Sequence, residues 1–407
     1  MSMMNAISGL LASSNCIDVI SNNIANASTT GFKSSTLSFC DIVSQSLIER
    51  NSMGSGAEVS GLVQNFNNGT LINTGRELDI GINQDGFFRV LDSRGRVHYT
   101  RNGQFSIDKQ KNIVNMQGLY VTGQNNDFVN NSVNHQNHLE PINLKKRFVL
   151  LAQPTQTIRF SPILNTNANP NAGDNDIYIP YNTSLTIYDQ DTNPQKIDIR
   201  FDKENQDKNI WKVYVKSRNM NDNLKNKKIN SVFTIEFDDA GQLISSPTFI
   251  IPKTQKNSLY QPITLNLTGI ISKKDSKETF DLAFQDGYPE GTLKSFDILP
   301  TGEIIGTYSN QQMHEMGQIM LAKFINPTKL KAEGSNLWSS TVESGQEHLG
   351  TAGSIGFGTL VSKNLETSNV DLNKELLNMI VAQRNYQSNA QVLKAEDKIL
   401  STLVNLR

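Results

Sequence analysis

The side chains that could carry out chemistry are few, and their spacing fits no catalytic site. The chain contains five histidines and two cysteines. They form no HExxH and no CxxC motif, and His135 and His138 have no cysteine near them, so we expect no metal site there. No phosphate-binding loop with Lys-Ser or Lys-Thr and no GxSxG motif occurs. The sequence therefore predicts no catalytic residues, no metal and no cofactor, and hence no enzyme.

Three weaker patterns have structural explanations. Gly353 and Gly356 have a spacing found in nucleotide-binding loops, but no strand–helix–strand pattern surrounds them, so we expect a turn. The basic run 145–147 lacks interleaved aromatic residues, and we predict a solvated edge there rather than a nucleic-acid site. The carboxylates are scattered along the chain, so their spacing does not support a glycosidase-like pair.

Overall composition argues against further classes of protein. The 407 residues leave room for two to four domains. A net charge of -1 provides no excess of basic side chains to neutralise nucleic acid. No apolar run approaches the roughly 20 residues that span a bilayer, so we expect no membrane insertion. Cys16 and Cys40 lie in separate candidate elements, and we expect no disulfide framework.

The N-terminus has one feature of a secretory signal and lacks the others. The small residues at 25–27 match a signal-peptidase site, but no Lys or Arg precedes them. Polar residues, including Ser13 and Asp18, also interrupt the apolar stretch. We therefore predict that this segment is retained, and that a protein working outside the cell would leave without a cleaved signal peptide.

Both ends of the chain carry an apolar rhythm of alternating three- and four-residue steps, which predicts helices with a coiled-coil seam. Such narrow seams leave the rest of each helix without partners, which suits a subunit of a polymer. The seam residues are Met3, Ile7, Leu10, Ser14, Ile17, Ser21 and Ile24 at one end, and Leu372, Leu376, Met379, Gln383, Tyr386, Ala390, Leu393, Asp397, Leu400 and Val404 at the other. We expect Ser368 and Asp371 to form a capping box at the start of the last helix.

Between the helices, short alternating apolar runs bounded by Gly and Asn predict antiparallel β-structure. The predicted fold class is mixed and mainly β, with discontinuous, nested β domains on a stalk of N- and C-terminal coiled-coil helices. The predicted parts are terminal helices at 1–28 and 369–407, a connecting linker layer at 29–74 and 358–368, a shared β domain at 75–144 and 286–357, and an inserted outer β domain at 145–285.

Three groups of residues stand out by type and order. The first runs from Ser21 through Asn26 and continues with Thr30-Gly31-Phe32-Lys33; the second is Thr100-Arg101-Asn102-Gly103; the third comprises Ser368 to Leu372 and Met379 to Ala390. Together they resemble the signatures of the bacterial flagellar rod and hook axial proteins. The resemblance covers residues 1–123 and about 286–407, and the length and inserted β domain are similar to those of hook proteins.

That resemblance implies a structural subunit of the flagellar hook, a flexible curved tube that transmits motor torque from rod to filament. It implies a helical homopolymer whose partners are the distal rod protein, the hook-filament junction protein, the hook cap protein and the flagellar type III export apparatus. It also implies a location in the hook and basal body, outside the cell. Lys363 stands where the resemblance leads us to expect a glycine before Leu365.

The site residues that follow from these patterns form two sets. The predicted self-assembly residues are Ile7, Leu10, Ile17, Ile24, Leu372, Leu376, Met379, Tyr386, Leu393 and Leu400. The family-signature residues are Asn22, Asn23, Ala25, Asn26, Gly31, Phe32, Asn369, Asp371, Gln383 and Arg384.

Two alternatives remain open from the sequence. One is a distal rod protein of the same family. The other is a secreted adhesin or enzyme with an oligomerising helical stalk, in which Trp211 and Tyr214 would contact a ligand. They alternate along one strand, however, so core packing explains at least one of them better.

Overall fold

A computed structural model of the protein describes residues 2–43, 54–125, 139–165, 181–188, 194–204, 209–219, 229–251, 262–273 and 283–405. The chain divides into two compact units. Unit 1 comprises Met1–Arg147, Ser295–Gly306 and His314–Arg407, and unit 2 comprises Phe148–Lys294 and Thr307–Met313. The four-part division expected from the sequence stays a prediction.

Two long helices belong to unit 1. Helix α1 spans Ser2–Ala25 and helix α2 spans Leu372–Asn405. Helix α1 ends where asparagines turn the chain, because the Asn26 side-chain amide donates to the Asn22 carbonyl oxygen over 3.0 Å. Two short 3-10 helices cover Lys145–Arg147 and Pro327–Lys329. The prediction of a helix at each end is confirmed.

The strands are short and are separated by turns. In chain order, the first are β1 (Ser35–Val43), β2 (Gly54–Gln64), β3 (Leu71–Asn73), β4 (Ile80–Asn83), β5 (Phe87–Leu91), β6 (Val97–Thr100), β7 (Phe105–Ile107), β8 (Ile113–Asn115), β9 (Tyr120–Asn125) and β10 (Glu140–Pro141). The next are β11 (Val149–Leu150), β12 (Thr157–Arg159), β13 (Ile163–Asn165), β14 (Tyr181–Tyr188), β15 (Pro194–Lys203), β16 (Ile210–Asn219), β17 (Ile229–Glu236), β18 (Thr248–Ile251), β19 (Ile263–Asn266), β20 (Ile271–Lys273) and β21 (Phe284–Gln285). The last are β22 (Gly291–Ile298), β23 (Glu303–Tyr308), β24 (Met313–Lys323), β25 (Lys331–Gly334), β26 (Leu337–Ser339), β27 (His348–Thr351), β28 (Thr359–Ser362) and β29 (Asn364–Glu366).

The β-sheet of unit 1 joins strands that are far apart in the sequence. Strand β24 pairs antiparallel with β9 and β5, and β26 pairs antiparallel with β6. An aromatic cluster of Phe87, Phe324 and Trp338 lies in its core. Phe66, which follows β2, packs edge-on against Phe87 and Trp338 at ring distances of 5.4 and 5.5 Å. The chain beyond β2 is therefore anchored to the sheet by aromatic packing.

Strands β1 and β2 form a separate antiparallel two-stranded sheet, which we call the ribbon. The sequence predicted an extended linker with a short strand or two here; the structure has two strands, which are longer than expected at 9 and 11 residues. Two further pairs, β3 with β29 and β4 with β28, join the start of the β region to the segment before α2.

Unit 2 has an apolar core built by strict alternation. Ile197, Ile199 and Phe201 on β15 are buried, and so are Trp211 and its neighbours on β16. Strands β14 to β17 form one antiparallel sheet, and β18, β19, β12 and β21 form another that shares this core. Alternation is the signal of a half-buried strand, so these elements follow directly from the sequence. The prediction of a mainly β protein is confirmed.

Two sequence expectations are wrong in this fold. Arg147 is buried, and its guanidinium donates to the Glu315 carbonyl oxygen, so the run 145–147 is not simply a solvated edge. In the described part of the chain, Met3–Ala25 alone is long and apolar enough to cross a membrane by length and composition. The expectation that no apolar run approaches this length failed because the helix has a single charged side chain, Asp18. One such helix is weak evidence, since core helices and signal sequences pass the same test.

Candidate functional site

Helices α1 and α2 lie antiparallel against each other and form what we call the helix pair. Gly9 lies beside Asn389, and the Asn23 side-chain amide donates to the Glu375 carboxylate over 3.3 Å near the opposite end. A Cβ atom on Gly9 would come within 2.7 Å of the Asn389 amide. A side chain at position 9 would therefore require the Asn389 side chain to move.

Small and polar residues make the contact between the helices. Ala6, Ile20 and Asn23 on α1 and Ala382 on α2 are buried. The predicted self-assembly residues divide evenly: Ile7, Leu372, Leu376, Tyr386 and Leu400 are exposed, whereas Leu10, Ile17, Ile24, Met379 and Leu393 are half-buried. None of them is fully buried between the two helices of one chain. Their role in self-assembly stays a prediction.

The exposed face of α2 is unusually apolar. Leu377 and Ile380 are more than half exposed, and several neighbours are nearly so. The exposed apolar residues of this helix are Leu372, Leu376, Leu377, Ile380, Val381, Tyr386, Val392, Ile399 and Leu400. At 100° per residue, Leu372, Leu376, Leu377, Ile380 and Val381 fall within about one half of the helix circumference. An exposed apolar cluster of this kind marks an interaction surface.

The ribbon packs along α1. The Ala57 backbone N–H donates to the Ser8 hydroxyl over 3.3 Å. At the other end of α1, Asn23 exchanges two hydrogen bonds with the Ser35 backbone, of 2.8 and 3.0 Å. The side chain of Asn23 thus joins α1, the ribbon and α2.

A cluster of buried charges lies close to this point, and we call Lys33, Arg101 and Glu366 the junction cluster. Lys33 Nζ lies 2.7 Å from one Glu366 carboxylate oxygen, and Arg101 Nη1 lies 3.1 Å from the other. The three side chains are 0%, 2% and 0% exposed. The Gly69 backbone N–H also donates to Glu366 over 2.8 Å. One carboxylate therefore holds together three segments that are distant in the sequence.

The electrostatics of the junction cluster follow from two cations sharing one anion. Burial, and after it the charge of Arg101, lower the pKa of Lys33 to about 8 against the opposing effect of Glu366. Burial likewise lowers the pKa of Arg101, against the attraction of Glu366. The Arg101 guanidinium also lies 5.3 Å from the centre of the Phe87 ring. Removing the carboxylate would leave two buried cations without an anion.

Several family-signature residues meet around this cluster. Gly31 has φ +69°, and a Cβ there would lie 2.7 Å from the Asn102 backbone nitrogen. Its own N–H donates to the Glu366 carbonyl oxygen over 2.8 Å. The Asn369 side chain accepts from the Ser34 N–H over 2.8 Å and donates to the backbone of 65 and 67.

The remaining signature residues divide into two groups. Asn22, Asn23, Ala25, Asn26 and Phe32 lie at or just after the end of α1, at the approach to the junction cluster. Gln383 and Arg384 are exposed on α2, eleven residues or more beyond its start. The structure does not bring this second group to the junction.

The start of α2 is capped differently from the prediction. Asp371 itself accepts hydrogen bonds from the N–H groups of Asn373 and Lys374, at 2.9 and 3.3 Å, and so is the N-cap. Ser368 accepts only from the Val370 N–H, over 3.3 Å. The predicted capping box is therefore wrong, because either residue type can cap and only the backbone path decides between them.

Lys363 occupies a backbone conformation that favours glycine. Its φ is +61°, and its carbonyl oxygen accepts from the Thr74 N–H over 2.8 Å. The glycine expected at this position from the resemblance would suit this geometry.

The other candidate sites have structural roles or lie outside the described residues. Trp211 is fully buried in the core of unit 2, so it is unavailable to a ligand. Gly353 and Gly356 have positive φ and lie in a turn, as predicted. His135 and His138 lie outside the described residues. Within the described residues, no group of three or more His, Cys, Asp and Glu side chains could hold a metal ion.

The sequence pattern missed the polar side of the helix pair and the junction cluster. Ala6, Gly9, Ser13, Cys16 and Ile20 follow the same three- and four-residue steps as the apolar seam. That small-residue stripe was a readable signal for close helix packing. Nothing in local sequence indicates that Lys33, Arg101 and Glu366 meet.

Four family models match parts of the chain. They are the "Flagella basal body rod protein" at residues 3–33, the "Flagellar hook protein FlgE/F/G D1 domain" at 81–189, the "Flagellar basal body protein FlaE D2 domain" at 157–288 and the "Flagellar basal body rod FlgEFG protein C-terminal" at 361–406.

Full-length relatives and one solved structure are similar as well. The chain is 41% identical to "Flagellar hook protein FlgE" of Escherichia coli K12 and 28% identical to that of Borreliella burgdorferi, covering 100% of this chain and 100% and 99% of theirs. The crystal structure of Helicobacter pylori "flagellar hook protein FlgE2" matches with a TM-score of 0.56 at 15% identity, covering 73% of this chain and 100% of that one. At that identity the structural likeness concerns the fold.

Proposed function

The chain belongs to the family of bacterial flagellar hook proteins, and from that premise we propose that the helix pair is the surface through which its copies polymerise. The chain is a structural subunit of the hook, the flexible curved tube that transmits motor torque from rod to filament. Its full-length match to hook proteins favours this function over a distal rod protein and over a secreted adhesin or enzyme.

The observation that carries the proposal is the apolar face of α2. Within one chain the two helices meet through small and polar residues, which leaves leucines such as Leu372, Leu376 and Leu377 facing outward. Because these leucines are 46%, 49% and 63% exposed, burying the rest of each would contribute roughly half of the about 1.5–3 kcal/mol that full burial gives. In a homopolymer the same face recurs on each subunit, so neighbouring copies can cover it repeatedly.

The junction cluster suits a subunit that carries torque. A force on the helix pair reaches the β region through the segments that Lys33, Arg101 and Glu366 hold together. Buried charge pairs specify a defined geometry, because any displacement leaves a charge without its partner. The proposed division of labour is a stiff connection here and sliding between the β domains of neighbouring copies.

The proposed role involves no catalysis and no cofactor. The proposed partners are other copies of this chain, the distal rod protein, the hook-filament junction protein, the hook cap protein and the flagellar type III export apparatus. Delivery through that apparatus, without a cleaved signal peptide, agrees with the charge-poor α1, in which Asp18 is the only charged side chain.

Polymerisation of a single variant tests the proposal. Leu376→Asp should prevent the full chain from sedimenting as polymer and from forming tubes visible by electron microscopy, because it places a charge in the buried contact. Its near-UV circular dichroism should match that of the unmodified chain, since Leu376 is 49% exposed within the chain.

Two controls make this test specific. Leu376→Met keeps the position apolar and should polymerise normally. Ile355→Asp introduces the same charge at a fully exposed apolar residue outside the helices, and its polymerisation should be retained. Normal tubes from Leu376→Asp, or loss of near-UV dichroism in it, would contradict the proposal.

A further inference from the structure

A groove runs along α1 between the ribbon and α2. Its volume is about 540 Å³, and it is open along one side. Its floor is formed by α1, mostly by small residues such as Ala12 and Cys16, and ends at Val19 and Ile20. One wall is the ribbon, with Leu37 and Phe39, and the other is α2, with Val381 and Glu375. Phe39 and Val381 remain 46% and 50% exposed, so the apolar walls are not covered within the chain.

The C-terminal turns of α2 lack a neighbouring helix in the described structure. Because Gly9 lies beside Asn389 and Asn23 beside Glu375, the antiparallel register places Ser2 close to the level of Glu396. Residues 397–405 continue beyond that level for roughly 13 Å at 1.5 Å per residue. Ile399 and Leu400 are exposed there, at 56% and 48%.

We propose that the C-terminal turns of α2, residues 397–405, of one copy dock into the groove of a second copy. The proposal rests on the proposed function, because it specifies one contact of the polymer. The two surfaces differ and lie toward opposite ends of the helix pair, so the contact is head-to-tail. A contact of this kind leaves a free groove at one end of the assembly and free residues 397–405, the tip of α2, at the other. Further copies can therefore add, and an open filament results.

Lengths and shape support this occupant. The groove floor from Gly9 to Ile20 spans about 16 Å, close to the roughly 13 Å of the projecting turns. A helix about 10 Å in diameter can lie along the open side with one face in the groove. The small side chains of the floor leave room for the larger side chains of that face.

The order of side chains around the projecting turns matches the three sides of the groove. Successive residues of a helix are about 100° apart, so Lys398, Ile399 and Leu400 cover three consecutive sides. Ile399 then faces the floor at Cys16, Lys398 faces the wall with Glu375, and Leu400 faces Leu37 and Phe39. Asp397 faces the open side.

Charge is complementary in this arrangement. Within the described residues, neither Glu375 nor Lys398 makes an ion pair. Glu375 is half-buried at the α1–α2 contact, whereas Lys398 is exposed at the tip. The hydrogen bond from the neutral Asn23 amide leaves the charge of Glu375 uncompensated, so docking brings Lys398 to a carboxylate without a counter-charge, which favours this register over others.

Cross-linking through the native thiol of Cys16 tests the contact in the full chain. With Cys40→Ser as background, Ile399→Cys should form intermolecular disulfides with Cys16 when polymers are oxidised, and much less when dilute monomers are. Asp397→Cys is the matched control, two positions away on the side facing outward, and should cross-link at least tenfold less. Leu62→Cys on the exposed ribbon tests whether a neighbour's ribbon occupies the groove instead.

Charge reversal supplies a second, independent measurement. Lys398→Glu should raise the critical concentration for polymerisation about tenfold, since it places two carboxylates together. Lys394→Glu, one turn earlier on α2 and also exposed, should change it less than twofold. Combining Lys398→Glu with Glu375→Lys should restore polymerisation.

The outcomes separate the two proposals. If the unmodified chain polymerises but Ile399→Cys fails to cross-link, or Leu62→Cys cross-links in its place, the docking contact is wrong and polymerisation through the helix pair stands. Normal polymerisation of Lys398→Glu would overturn the predicted charge pairing, and with it the register proposed here. If the unmodified chain does not polymerise, both proposals are overturned.

Discussion

The core of unit 2 and the terminal region of unit 1 are stabilised in contrasting ways. Among the described residues of unit 2, seventeen buried apolar side chains form one cluster. Among the side chains described in the helix pair, only Ala6, Ile20, Asn23 and Ala382 are buried, and large apolar residues face outward. The first region is packed within one copy, whereas the second combines a few polar ties with apolar surfaces that the proposed polymer would cover. Which residues are buried therefore separates the parts that fold alone from those that assemble.

The two tryptophans allow each region to be followed separately. Trp211 is buried in the core of unit 2, and Trp338 is buried in the aromatic cluster of unit 1. Trp211→Phe leaves a fluorescence reporter in unit 1, and Trp338→Phe leaves one in unit 2. Unfolding of unit 1 is therefore measured in the Trp211→Phe background, and unfolding of unit 2 in the Trp338→Phe background.

The largest effect is expected from Glu366→Ala. It leaves Lys33 and Arg101 as buried cations without an anion, which costs about 3–5 kcal/mol. Urea unfolding followed by Trp338 should show this loss for unit 1. The control is Glu343→Ala, which removes an exposed ion pair with Lys329 and should cost less than about 1 kcal/mol. A loss for Glu366→Ala no larger than the control would mean that the charge cluster does not hold this region together.

Ile199→Ala should weaken unit 2 instead. Removing a fully buried side chain from a closed apolar core costs about 2–5 kcal/mol, measured by urea unfolding with Trp211 as reporter. The critical concentration for polymerisation should stay unchanged. Val232→Ala, at a half-exposed position of β17, should cost less than about 1 kcal/mol. An equal effect of Ile199→Ala on polymerisation would remove the contrast between the regions.

The junction cluster should also respond to pH. The pKa of Lys33 is about 8 in the folded chain against its ordinary value of 10.5, so between these values the unfolded chain holds a proton that the folded chain has released. The stability contributed by Lys33 therefore rises from about pH 8 to 10.5 and is constant below. The unfolding free energy of the unmodified chain minus that of Lys33→Met should rise by up to about 3 kcal/mol over this range.

Lys109→Met is the control for the pH series. Lys109 is exposed, so replacing it should leave the slope of stability against pH the same as in the unmodified chain. A falling difference between the unmodified chain and Lys33→Met over this range would contradict the sign argued here.

The smallest effect is expected at Lys363. Lys363→Gly should stabilise unit 1 by about 0.5–1 kcal/mol, because φ +61° is strained for a residue with a side chain. Lys363→Ala keeps the strained backbone and should bring no gain. Thermal unfolding followed by Trp338 measures both variants. A gain with alanine equal to that with glycine would show that the lysine side chain, rather than the backbone, is the cause.

The periodicity of apolar residues predicted an element correctly where only one secondary structure fits the pattern. Ile197, Ile199 and Phe201 alternate, and β15 follows with these residues buried. The two terminal helices were predicted for the same reason. The face used for pairing was not, because α1 has an apolar stripe and a small-residue stripe with the same spacing. The stripe containing Gly9 packs against α2, since its small residues let the helix backbones approach closely.

The sequence identified the motifs that surround the junction cluster but not the contacts between them. The motifs near residues 31, 101 and 369 identified the family, and the structure brings them together. Their meeting depends on pairings between segments separated by hundreds of residues, such as β29 with β3. The burial of Arg147 was missed for a similar reason, because its partner Glu315 belongs to a distant strand.

The junction cluster makes each copy dependent on nearly its whole length. Lys33 and Arg101 are contributed early in the chain, whereas the carboxylate that neutralises them is contributed close to the C-terminal helix, at Glu366. A copy broken off before that residue would carry two positive charges into a dry site with nothing to compensate them. The folding of this region therefore requires both an early and a late part of the chain, and a copy without Glu366 would lose the charge balance of the junction cluster.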